Sequence, residues 1–212
     1  MRRGLRAAGD STRIGLVCVA AAVAVCCGSA RAQVVAAPSP EALYAQRFAA
    51  HCAACHGAQG RSELPLVPSL AGQPSFYAIT QLFLYRAGRR DDAAMSAAAR
   101  ELSDDDLRGF ADLIGRLPPP PAPLQRGDAA RLQRGSALAL QHRCTACHGS
   151  DLAGGQQVAR VAHQREDYLV KVLREFRTGK RLGYTSAMAE VLAGLTVTEV
   201  DDIAHYVAHL PP

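Results

Sequence analysis

The chain has 212 residues, 49% of them apolar and none of them Trp, with 24 Lys and Arg against 19 Asp and Glu, a composition that fits one or two globular domains. Most of the formal charge of +5 sits in the first 32 residues, where Arg2, Arg3, Arg6, Arg13 and Arg31 stand against Asp10 alone; removing that segment leaves 24 − 5 = 19 basic and 19 − 1 = 18 acidic residues. So even a balance excludes the basic footprint of a nucleic-acid binder, and no nucleic-acid partner is expected.

The N-terminal arginines lead into the apolar run Ile14 to Cys27, and Ser29-Ala30-Arg31-Ala32 closes it with small residues. This reads as a secretory signal peptide, residues 1–32, cleaved after Ala32. A retained membrane anchor is the weaker reading, because the run is short of the roughly 20 apolar residues a spanning helix needs. Lipid attachment at Cys26 or Cys27 is weaker again, since neither follows the small residues such processing prefers. With Cys18, Cys26 and Cys27 gone, four cysteines remain: Cys52, Cys55, Cys144 and Cys147.

Pro40 stands at a helix-entry position before Glu41 to His51, where Leu43, Ala45, Phe48 and Ala49 recur at helical spacing. That helix closes on Cys52-Ala53-Ala54-Cys55-His56. Its counterpart, Ser136 to His142 with Leu138 and Ala139, closes on Cys144-Thr145-Ala146-Cys147-His148. C-x-x-C-H is the attachment signature of c-type haem. At positions i, i+3 and i+4 of a helical turn the two thiols and the imidazole share one face, so both sulfurs reach the porphyrin vinyl groups while the His meets the iron. The competing readings are a redox dithiol, or four thiolates on one zinc drawn from pairs 92 residues apart. A His after each second Cys, and then Gly57 and Gly149 to end each turn, fit haem better. Two covalently bound haem c groups are therefore expected, and no thiol is left over for a disulfide or a nucleophile.

Beyond each motif the halves stay in register. Val67 to Gln73 aligns with Val158 to Gln164, and at the same offset of 91 Tyr77, Leu82, Tyr85, Arg86, Gly88 and Arg90 match Tyr168, Leu173, Phe176, Arg177, Gly179 and Arg181. Ser75 reads as the N-cap of the first of these helices, and Gly88 and Gly179 as stops. Their aromatic residues could line a haem, although ordinary core is the commoner use. Ser103-x-x-Asp106 and Thr196-x-x-Glu199 open a last helix in each half. Those helices carry Leu107, Phe110, Ala111 and Ile114, and Val200, Ile203, Ala204 and Val207, on their apolar stripes. The run Pro118-Pro119-Pro120-Pro121-Ala122-Pro123 reads as a stiff extended spacer. The expectation is an all-α protein with a first domain over 33–117, a proline-rich linker over 118–127 and a second domain over 128–212.

A His-ligated haem needs a sixth ligand. Apart from Met1 the chain has two methionines, Met95 and Met188, placed 39 and 40 residues after His56 and His148 in what read as matching loops. One thioether per haem at equivalent places makes His56/Met95 and His148/Met188 the expected ligand pairs. The remaining histidines, His51, His142, His163, His205 and His209, read as solvated or partly buried. Arg86, Arg89, Arg90, Lys171, Arg174, Arg177, Lys180 and Arg181 read by default as a solvated face, with haem propionates or interdomain contact as the alternatives.

Motif, glutamine-containing loop, methionine and capped last helix together resemble class I cytochrome c, and the tandem pair over residues 41–212 resembles the dihaem cytochrome c4 type. Leu70-Ala71-Gly72-Gln73, the Tyr77 to Arg90 stretch, and Met95 followed by Leu102-Ser103-Asp104-Asp105-Asp106-Leu107 carry most of the likeness. The resemblance implies a periplasmic carrier of single electrons whose two domains face each other across a pseudo-twofold axis. It also implies that the Pro68 carbonyl accepts the N–H of His56, with Ala159 in that place in the second half and the two haems consequently unequal in potential. The implied partners are a redox donor and acceptor, such as a respiratory complex, terminal oxidase or dehydrogenase, with membrane association only through them. The alternatives are the cytochrome subunit of a larger flavocytochrome c type dehydrogenase and, less favoured, a dihaem peroxidase or thiosulfate-oxidising enzyme. Closed His/Met sites and the absence of a spare Cys argue against catalysis.

Overall fold

The computed structural model describes residues 37–181 and 185–211. The expected signal peptide therefore lies outside the described residues. Among these, ten helices form and no strand beyond an isolated bridge between Gly155 and Val158. No described helix is long and apolar enough to cross a membrane.

Five helices repeat in each half. The first half runs α1 (Pro40–His51), α2 (Ala53–His56), α3 (Ser75–Arg86), α4 (Ala93–Arg100) and α5 (Asp104–Arg116). The second runs α6 (Ala129–Gln141), α7 (Thr145–His148), α8 (Glu166–Arg177), α9 (Ala187–Leu192) and α10 (Val197–Ala208). Each half encloses its own core. Phe48, Ala78, Phe110, Ala111, Leu113 and Ile114 fill the first, and Leu152, Leu169, Leu192, Val200, Ile203 and Val207 are among those that fill the second. The stripes on α5 and α10 are thus the central walls. Both helices begin with complete reciprocal caps, Ser103 with Asp106 and Thr196 with Glu199, so that the orphan N–H groups of each first turn find acceptors.

The structure corrects several local expectations. Helix α6 starts at Ala129, not at Ser136, because the Asp128 carboxylate accepts from Arg131 N at 2.8 Å. Gly135 lies inside the helix, where a side chain would collide with Asp202 O and Tyr206 on α10. In the first half the same crossing is built the other way round, with Gly109 on α5 and Tyr44 on α1 against it. Ser75 is the first residue of α3 rather than its cap, a place taken by Pro74 without a side-chain bond. Met95 and Met188 stand on α4 and α9, not in loops. Gly88 and Gly179 do follow their helices, at φ +64° and +68°.

The proline run has no helix and is tied to both halves. Arg61 donates to Pro118 O at 3.2 Å and Pro119 O at 3.3 Å. The His163 ring bridges Pro120 O at 3.2 Å and Leu210 O at 3.0 Å.

Candidate haem sites and the seam between them

Each attachment turn is a break in a longer helix. In the first, Cys52 ends α1 by donating its N–H to Phe48 O at 2.9 Å, and His56 N then returns to Cys52 O at 3.0 Å. Gly57 at φ +79° and Gly149 at φ +84° turn the chain away. The loops that follow fold alike, Leu70 and Ala71 donating to Gly60 O as Val161 and Ala162 donate to Leu152 O. Those paired bonds hold the loop against the imidazole.

The four cysteines of the described residues are all unpaired, although each turn places two of them three residues apart. In each pair the first is half-buried and the second exposed. Burial pushes the Cys52 thiol up to about 11 and raises Cys144 too, so neither is a poised thiolate nucleophile. His56 Nδ1 lies 2.9 Å from Pro68 O, and His148 Nδ1 lies 2.8 Å from Ala159 O. Burial lowers the pKa of both rings, opposed in each by that carbonyl bond. A neutral imidazole that donates from Nδ1 keeps its lone pair on Nε2, which is the state of a metal ligand. Replacing Pro68 by Ala159 therefore costs the second site no hydrogen bond. The sites differ in access instead: His56 is 5% exposed, whereas His148 is only half-buried.

Each half also carries one methionine, whose thioether is a donor type that haem iron takes. Met95 is half-buried in the first turn of α4, fixed by its own N–H donating to Asp92 Oδ1 at 3.0 Å. Met188 is half-buried on α9 and packs against the second core.

Between the halves the bonds come in pairs related by the repeat. Gln73 Nε2 donates to Arg160 O at 2.8 Å and its Oε1 accepts from Arg160 N at 3.0 Å. Gln164, 91 residues on, does the same to Ser69, 91 residues before Arg160, with both bonds at 2.8 Å. Reciprocity of this kind is what a local twofold axis produces. The glutamines were visible in the sequence as repeated residues, but nothing in a single chain tells that they read each other's backbone. Tyr77 and Tyr168 meet in the same seam with Arg90 and Arg181. Arg90, 8% exposed, donates to Tyr168 Oη at 2.8 Å and Gln81 Oε1 at 2.5 Å and lies over the Tyr85 ring at 4.4 Å. Burial raises the Tyr77 and Tyr85 hydroxyls, so both stay protonated.

The default reading of the basic residues is corrected here. Arg89 and Lys180 are solvated, but Arg90 is buried in the seam and Arg181 is partly buried there, paired with Glu175. Arg90 has no carboxylate in salt-bridge range among the described residues, an uncompensated cation that a propionate would neutralise. The residues present thus fit haem c on three counts: paired thiols, an imidazole with its lone pair free, and a buried guanidinium in want of an anion. His205 also departs from expectation. It is 5% exposed, with Nδ1 3.0 Å from Glu166 Oε2.

Residues 36–114 match the family described as cytochrome c oxidase, cbb3-type, subunit III, and residues 132–211 match the cytochrome c family. The cytochrome c4 of Pseudomonas aeruginosa is 32% identical over 182 residues, 80% of this chain and 89% of the relative. The thiosulfate dehydrogenase electron acceptor of Thiomonas intermedia is 31% identical over 175 residues, 77% of this chain and 80% of that one. The crystal structure of reduced recombinant cytochrome c4 from Pseudomonas stutzeri superposes with a TM-score of 0.72 at 28% identity, covering 82% of this chain and all of the other.

Proposed function

The chain belongs to the cytochrome c4 family of dihaem electron carriers, and from that premise we propose how its own residues hold the haems and where it works. Cys52 and Cys55 would hold the first haem c through thioethers, and Cys144 and Cys147 the second. His56 with Met95, and His148 with Met188, would ligate the two irons. Each bound haem supplies a one-electron Fe(III)/Fe(II) couple, kept low-spin by closed His/Met ligation. The protein's part is to keep that geometry unchanged as the charge changes. Pro68 O and Ala159 O fix the imidazole planes, the Asp92 cap fixes the turn that bears Met95, and Arg90 offers its charge to an anion in the seam.

The observation that carries the reading is the matched pair of Nδ1–carbonyl bonds, each leaving one nitrogen of a neutral ring for iron. Residues 1–32 direct export, with cleavage after Ala32, and the mature protein works in the periplasm, where c-type haem is attached. Its donors and acceptors are other redox proteins. An oxidoreductase of inorganic sulfur is the partner class supported by the relative named for accepting electrons from thiosulfate dehydrogenase.

The test is the visible spectrum of the dithionite-reduced protein before and after carbon monoxide. No change is the expected result, both irons being closed. Met95→Ala and Met188→Ala should each open one site, with about half of the full Soret shift. A wild-type shift, or variants that leave the spectrum untouched, would reassign the sixth ligands.

A further inference from the structure

Helix α10 carries His205 in its last turn and His209 as its C-cap, one helical turn apart, with ring centroids 4.4 Å from each other. Glu166, the first residue of α8, sets Oε2 3.0 Å from His205 Nδ1 and 3.7 Å from His209 Nδ1. The three ligand atoms lie within 4.8 Å of one another. We propose that Glu166, His205 and His209 form a binding site for a divalent late first-row metal ion, zinc being the one whose coordination the geometry suits.

Zinc bonded to nitrogen and oxygen at about 2.0–2.1 Å in a tetrahedron needs its ligand atoms about 3.3 Å apart, and the two observed separations bracket that value. Two imidazoles and one carboxylate are a donor set such ions take in preference to magnesium or calcium. The carboxylate is oriented from behind. Arg131 Nη1 holds Glu166 Oε1 at 3.0 Å, leaving Oε2 to the histidines, and the buried Asp202 shares the Arg131 charge at 3.3 Å. His205 Nε2 is buried without a hydrogen-bond partner, so the polar contacts of the ring all lie on its Nδ1 side, toward Glu166. Gly127 roofs the cluster, and a Cβ there would come within 2.5 Å of His205 Nε2 and 3.0 Å of His209 Cγ. Glu166 and His209 remain partly open to solvent, so a water can take the fourth position.

The repeat shows that the haem fold does not require this cluster. The residues at the matching places of the first half are Ser75, Asp112 and Arg116, which cannot ligate as a set. The site therefore belongs to the second half alone. Metal would join the start of α8 to the end of α10 under the last residues of the linker, a structural staple beside the seam that Arg165 and Asp167 also bond across. Binding takes the Nδ1 lone pair of each neutral ring, so each ring carries its proton on Nε2 and the Nδ1 contacts to Glu166 and to His205 O at 3.0 Å give way to the metal.

The proposal is independent of the electron-transfer reading, and its test uses the dihaem protein stripped of metal with EDTA. Zinc chloride is titrated against a chromophoric chelator, and crystals grown with zinc are measured on both sides of its absorption edge. The expected result is one zinc per chain, an anomalous peak among Glu166, His205 and His209, and affinity lowered at least about 10- to 100-fold in Glu166→Gln and in His209→Gln. His209 is a helix cap outside the core, so its variant keeps the test valid if the Glu166 change disturbs Arg131. No zinc retained, unchanged affinity in both variants, or a peak only at a surface residue such as His51 would each overturn the site.

Discussion

Truncating Gln164 to Ala tests whether the seam is a built interface or an incidental contact. Gln164 is 7% exposed and Ser69 is 6% exposed, so water has little access to what the truncation uncovers. The change strands Ser69 N–H and Ser69 C=O, each satisfied at 2.8 Å by the amide. At about 1–3 kcal/mol per buried unpaired group the loss is about 2–6 kcal/mol, and freeing the glutamine rotamers returns about 1–2. A net destabilisation of about 1–4 kcal/mol follows, a sizeable part of the 5–15 kcal/mol typical of a domain. Urea unfolding of the dihaem protein, followed by far-UV circular dichroism and by Soret absorbance, measures it. Gln73→Ala should cost less, because Arg160 is only half-buried, and the two variants should split one transition into two. A loss below about 0.5 kcal/mol would refute the reasoning, since it is what an exposed contact gives.

Three further outcomes follow from local geometry. The Asp106 carboxyl, bonded to Arg47 and capping α5, is held below its ordinary value, chiefly by the Arg47 hydrogen bond. A lowered folded pKa stabilises above the unfolded value near 4 and loses that contribution as pH falls through the folded one, so Asp106→Asn should cost on the order of 1 kcal/mol at neutral pH and progressively less in acid. Urea midpoints across that range check the slope. Gly135→Ala drives a methyl into the α6–α10 crossing and should cost about 1–3 kcal/mol or block folding, whereas Gly88→Ala meets no atom within 4 Å and should cost only the roughly 1–2 kcal/mol of a left-handed backbone; thermal unfolding of both separates clash from strain. In a redox titration the haem beside the fully buried His56 should have the higher potential, because exclusion of water disfavours the ferric charge, and two waves of equal midpoint would count against it.

Legibility in the sequence followed the range of the interactions. The caps Ser103 and Thr196, the α5 and α10 stripes and the attachment turns are set by neighbours three or four residues away, and they stand where spacing placed them. Helix α6 begins seven residues before Ser136, and the glycine within it, Gly135, answers to Asp202, 67 residues further on, which no local pattern shows. Arg90 and Arg181 look like surface charge because a repeated basic residue carries no sign of what covers it; each meets a tyrosine of the opposite half, Arg90 Tyr168 and Arg181 Tyr77. The same holds for His205, whose partner Glu166 lies on another helix. Met95 and Met188 stand out in the sequence by count and position alone; the short helix that bears Met95 depends on the cap of Asp92, at a position that also suits a turn, and the one that bears Met188 has no side-chain cap at all.

What the two halves share, and what they do not, divides by role. The imidazole–carbonyl bonds, the reciprocal glutamines and the facing tyrosines recur at matched positions, and each touches a haem turn or the seam. The outer face of α3 exposes Phe76 at 51% and Phe83 at 45%, while the matching places on α8 are Asp167 and Arg174. Asp167 bonds Leu66 N across the seam and Arg174 pairs with Asp201, so in the second half these positions are spent on the protein itself. A protein with twofold-related haem sites would present a donor and an acceptor with the same surface if the repeat were perfect. Divergence at these positions makes the two halves chemically distinct, apolar on one and charged on the other, and docking of weak redox partners responds to that difference.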